Sequence, residues 1–178
     1  MSIREFLGLA EAAEVPSPET ETVRKVVEAL DHLPPERARF IAAFGYILGR
    51  VAHADMRISP EEKQAMERIV MEQGQLPPEQ ALIVVQMAKM RNELFGATEN
   101  FLVTREFART ADREQKLALL DCLFAVSAAE GDISMIENNE IRQITSELGL
   151  EHREFIQVRA AWRDHLGVLK DLPKRADS

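Results

Sequence analysis

A chain of 178 residues, 46% of them hydrophobic and 29% charged, has the balance of one globular domain with a full core, not of a disordered chain or of two large domains. Its formal charge of -8, with no stripe of Lys and Arg, argues against nucleic-acid binding, because phosphate contacts need clustered cations that displace counterions. A single cysteine, Cys122, excludes an internal disulfide framework and fits a reducing compartment.

The opening stretch, MSIREFLGLAEAAEVPSPE, lacks the basic start and long apolar run of a signal peptide, and no apolar stretch approaches the roughly 20 residues that span a membrane. The expected location is the cytoplasm, with no membrane insertion. Apolar residues recur at period 3.6 and nowhere at period two, which predicts an all-α fold. Residues 1–33 read as an N-terminal helical arm. Its short apolar piece (Ile3, Phe6, Leu7) is joined by a Pro-rich turn to a helix that starts at Ser17-Pro18 and carries Val23, Val26, Val27 and Leu30. This arm either packs on the rest or binds a partner or a second copy.

Residues 34–168 read as the main domain. In RARFIAAFGYILGRVAHAD, the residues Phe40, Phe44, Ile47, Val51 and Ala54 form one helical stripe. A helix over about 60–73 follows, ending at Gly74, a residue suited to a left-handed cap, and QLPPEQALIVVQMAKMRNEL supplies the next. FGATENFLVTREFART predicts a short connecting helix anchored by Phe101, Leu102 and Phe107. DREQKLALLDCLFAVSAAE repeats the stripe with Leu119, Cys122, Val126 and Ala129; a helix over about 135–148 ends at Gly149, and LEHREFIQVRAAWRDHL closes the domain. Residues 169–178 read as a frayed tail.

An offset of 75 aligns Phe44 with Leu119, Val51 with Val126, Ile58 with Ile133, Ser59 with Ser134 and Glu62 with Glu137. This register predicts an internal duplication and a compact bundle of two related three-helix units. At each corner the Ser and the Glu three residues later match a capping box, which is worth about 1 kcal/mol and needs no function. The carboxylates of Asp55 and Glu130 fall instead at a helix C-terminus, where the macrodipole disfavours them by roughly 0.3–1 kcal/mol. The compensation is either the amides of the next helix or a bound cation or basic partner. The candidate metal ligands are therefore Asp55, Glu62, Glu130, Asp132 and Glu137, all hard oxygen donors suited to a divalent cation such as Ca²⁺, Mg²⁺ or Mn²⁺. The second corner is the stronger one, because Arg57 stands in the first where Asp132 stands in the second.

The motif Ala129-Glu130-Gly131-Asp132-Ile133-Ser134-x-x-Glu137, with its imperfect partner Ala54-Asp55-Met56-Arg57-Ile58-Ser59-x-x-Glu62, resembles the corner of the tellurite-resistance B (TerB)-like family. The resemblance spans about residues 37–165. It implies an all-helical fold of two related three-helix units and a cytoplasmic module whose acidic cluster binds metal. It also implies a relation to the amino-terminal domains of membrane-anchored DnaJ-type co-chaperones.

Recognisable catalytic motifs are missing. His32, His53, His152 and His165 make no Glu-x-x-His pair, and there is no zinc, nucleophile-elbow or phosphate-loop signature. Trp162 reads as a packing anchor, and Met66, Met71, Met87 and Met90 as core fillers. The expectation is a non-enzymatic acidic binding module in metal or tellurite stress, or an adaptor, with a protein partner. The alternative is a protein–protein scaffold, co-chaperone-like or self-associating, without a metal site.

Overall fold

The computed structural model describes residues 18–52, 60–90, 100–129 and 131–167. Among them run eight α-helices: α1 (Pro18–Asp31), α2 (Pro35–Val51), α3 (Pro60–Glu72), α4 (Pro78–Lys89), α5 (Asn100–Thr110), α6 (Arg113–Ala129), α7 (Met135–Glu147) and α8 (His152–Ala161). A short 3-10 turn, Arg163–His165, follows α8, and the described residues hold no β-strand. The all-α reading is correct.

The core is built around α2. Pro35 opens it, where the missing N–H is an orphan in any case, and twelve of its 17 residues are buried. It packs against α1, α4, α5, α6 and α7. A helix that buries nearly its whole circumference is a central one, which explains why its sequence is apolar well beyond one stripe. Val26, Val27 and Leu30 of α1 are buried in the same core, so the described part of the arm packs on the bundle. Residues 1–17 lie outside the described residues.

Gly45 sets the distance between α2 and α4, since a Cβ there would stand 2.7 Å from Met87 Cβ and 3.1 Å from the Val84 carbonyl oxygen. Helix propensity alone favours Ala over Gly by about 1 kcal/mol. Overpacking of this contact outweighs it, and Gly45→Ala is expected to destabilise the protein by about 1–3 kcal/mol in urea denaturation. A neutral or stabilising result would mean that the two helices separate freely.

Two sequence expectations need correction. Gly149 has the left-handed φ of 73°, but Gly74 does not; the positive φ, 55°, belongs to Gln75. Gly74 is required for space: a Cβ there would collide with the Val70 carbonyl oxygen and press on the Phe44 ring. In α5, Phe107 is fully buried, whereas Phe101 and Leu102 are about half exposed. Val103, Thr104 and Phe107 share the inward face, and Phe101 and Leu102 lie outside that stripe.

The helices that leave the two corners match closely, for adding 75 to the bounds of α3 gives those of α7. Along α6, α8 runs parallel: the Arg113 guanidinium donates to Glu154 at 2.7 Å near one end, and Trp162 Nε1 donates to Asp121 at 2.8 Å near the other. Trp162 is thus a packing and hydrogen-bonding anchor.

Candidate functional site

The second corner joins α6 to α7. Gly131 carries a φ of 135°, in a region that side-chain-bearing residues rarely enter, and a Cβ there would meet nothing within 4 Å. The chain therefore turns sharply into open space. Asp132 is exposed, while Ile133 turns inward and is buried. The Ile133 amide donates to the His165 carbonyl at 2.6 Å, and the Gly167 amide donates to the Ile133 carbonyl at 3.1 Å. These bonds make an isolated parallel bridge between Ile133 and Leu166. The segment after α8 thus clamps the corner.

Ser134 then caps α7. Its Oγ accepts from the Glu137 amide at 3.2 Å, and Glu137 Oε2 accepts from the Ser134 amide at 2.8 Å. The capping box read from the sequence is present, and it fixes Glu137 as a buried residue with one carboxylate oxygen on the cap.

Of the five candidate ligands, Asp132 and Glu137 are brought to one corner, the first exposed and the second buried beneath it. Asp55 and Glu130 lie outside the described residues, as do Ser59 and His53. Glu62 falls in the first turn of α3, but its side chain is likewise outside them. Among the described residues, no three His, Cys, Asp or Glu side chains stand together where they could hold a metal ion.

Sequence reasoning missed the charge network that holds α7 in place. Arg50, in the last turn of α2, has a side chain only 1% exposed. Its Nε donates to Glu140 at 2.7 Å; its Nη1 donates to Glu147 at 2.6 Å and to the Thr104 hydroxyl at 2.8 Å. One guanidinium therefore ties α2 to α5 and to two turns of α7. Burial by itself would lower the pKa of Arg50, but Glu147 and Glu140 raise it above the ordinary arginine value. A lone Arg in the apolar run GYILGRV was the available signal.

Cys122 offers no chemistry, because burial, with a smaller push from Asp121, drives its thiol pKa far up. No helix among the described residues is long and apolar enough to cross a membrane.

Fold and corner together define an all-helical protein in which a capped, clamped turn between two helices presents a carboxylate to solvent. The chain belongs to the TerB family: a family model described as tellurite resistance protein TerB matches residues 41–160, more than half of its length. Searches of curated proteins and of solved structures each gave no match.

Proposed function

We propose that this TerB-family chain is a non-enzymatic, cytoplasmic acidic binding module that holds a divalent cation (Ca²⁺, Mg²⁺ or Mn²⁺) at its second corner, in metal or tellurite stress or as an adaptor. The observation that carries this reading is the preparation of the corner. Capping box, β-bridge and Gly131 hold the backbone in place while Asp132 faces solvent beside open space. Preorganised carboxylate oxygens suit a hard cation, which takes oxygen ligands and keeps water where protein donors run out. Such a site is open and partly hydrated: exposed Asp132 is a direct donor, Glu137 is committed in part to the cap, and Glu130, two positions before Asp132 in the sequence, is the further donor that this reading assigns. In the first corner, Arg57 occupies the sequence position that matches Asp132, which weakens any matching site there. An ion bound at the second corner would neutralise carboxylates at the C-terminal end of α6, where the helix dipole disfavours them.

A ligand that binds only the folded state raises its stability by mass action. Thermal melts in EDTA, then in Ca²⁺, Mg²⁺ or Mn²⁺, are expected to show a higher Tm with at least one ion. Glu130→Gln/Asp132→Asn is expected to abolish that gain, with an EDTA melt at or slightly above that of the wild type because the unfavourable charge at the helix C-terminus is gone. An unshifted Tm with all three ions would sink the reading.

A second reading, a protein–protein scaffold, is favoured by one specific observation. Met135 and Ile136, in the first turn of α7, are 60% and 76% exposed beside the acidic corner. Large apolar side chains held this openly mark contact surfaces when they cluster.

A further inference from the structure

A cleft of about 620 Å³ opens between α7 and the start of α8, away from the corner, and its lining contains no carboxylate. The cleft between α3, α6 and α8, by contrast, is lined by Glu72, Glu114, Asp121 and Glu154 against a single Arg113. In the acid-free cleft, Arg142 and His152 stand among the neutral donors Asn139 and Ser146, over Leu150 and Phe155. Arg142 is exposed and pairs with no carboxylate among the described residues. Two carboxylates adjoining the cleft in sequence are engaged elsewhere, Glu147 with Arg50 and Glu151 with Arg153 at 2.6 Å. The His152 ring lies against Phe155, with centroids 6.0 Å apart and 30° between planes, and gives the cleft a flat wall.

We propose that this cleft binds a small phosphate monoester, its phosphate on Arg142 and His152 and its apolar part over Leu150 and Phe155. A guanidinium fork surrounded by neutral donors matches an oxyanion with several acceptor oxygens better than it matches a single carboxylate. The cleft volume lies in the range of small-molecule sites, which combine an apolar floor with a few convergent polar groups, and is larger than a bare oxyanion fills. Burial of an apolar substituent against Leu150 and the His152 ring, which lies over the buried Phe155, then adds to the charge contact.

The test is a ¹H–¹⁵N NMR titration of the full chain with inorganic phosphate, phenyl phosphate and phenol at constant ionic strength. Both phosphates are expected to move the amides of residues 139–155 saturably, phenyl phosphate about tenfold more tightly than phosphate. Phenol is expected to leave them in place. Arg142→Gln, at an exposed position that keeps the native spectrum, is expected to weaken both phosphates about tenfold. Arg163→Gln, on the 3-10 turn, is expected to change nothing. Shifts that fail to saturate, that fall outside the cleft, or that titrate with unchanged affinity in Arg142→Gln would overturn the proposal. Equal affinity for phosphate and phenyl phosphate would overturn the monoester as the ligand.

Discussion

Arg50→Met is expected to destabilise the protein by about 3–5 kcal/mol at neutral pH, measured by urea denaturation, because it leaves buried carboxylate charge without its counter-ion. The side chain of Glu147 is 9% exposed and that of Glu140 29%, so water replaces Arg50 poorly at the first and better at the second. The triple variant Arg50→Met/Glu140→Gln/Glu147→Leu removes the charges together and is expected to recover most of the loss. Recovery would separate the cost of an orphaned charge from the cost of lost packing. A single variant within about 0.5 kcal/mol of wild type would show that the network contributes nothing net.

The same network sets an acid limit. Burial tends to raise the pKa of Glu147, but hydrogen bonds from Arg50 and Gln143, the charge of Arg50 and a bond from Thr104 hold it below the ordinary glutamate range. A carboxylate with a depressed folded pKa contributes stability that is fully present above the unfolded value and is lost as pH falls through the folded one. Stability is therefore expected to decline as pH falls from about 4.5. Glu147→Gln is expected to flatten that decline and to leave the slope above pH 6 unchanged.

Phe107→Ala is expected to cost about 3–5 kcal/mol, the range for removing a fully buried aromatic side chain. Phe107 is the meeting point of α5 with α2. Its ring stacks on Phe40 at 5.0 Å between centroids and meets Phe44 edge-on at 6.1 Å. Deletion leaves a cavity against the rings of Phe40 and Phe44 and removes the main anchor of a helix whose Phe101 and Leu102 face solvent. Calorimetry checks the loss, and Phe107→Leu is expected to retain about half of it. A small effect for Phe107→Ala would mean that α5 is docked by Thr104 and Val103 alone.

Local rules carried the sequence reading where the determinants were local. The cap at Ser134 is written in four consecutive residues, and α3 and α7 end within a residue of their expected limits. Phe40, Phe44, Ile47 and Val51 of the α2 stripe and Leu119, Cys122 and Val126 of the α6 stripe are core residues, whereas Ala129 is exposed and Ala54 lies outside the described residues; the acidic residues of the second corner are legible as a motif. The misses are all contacts between distant segments. Arg50 meets acids 90 and 97 positions away, and nothing in those intervals links them. The Ile133–Leu166 bridge joins two ordinary aliphatics through their backbones, so side-chain pattern cannot reveal it. At Gly74 the Phe44 ring from another helix adds to the nearby Val70 carbonyl oxygen in excluding a Cβ, so the glycine provides space and not a left-handed turn. In α5, hydrophobicity alone marks Phe101 and Leu102 as anchors, whereas the partner helix selects the face of Val103 and Phe107.

The most direct test of the proposed cation site is paramagnetic broadening by substoichiometric Mn²⁺ in ¹H–¹⁵N spectra of the wild type and of Glu130→Gln/Asp132→Asn. The account expects the amides of residues 129–134 to broaden first, Ca²⁺ to reverse the effect by competition, and the double variant to lose it. Broadening spread evenly over the acidic surface, or unchanged in the double variant, would contradict a site at this corner and leave Ser134 and Glu137 as a helix cap alone.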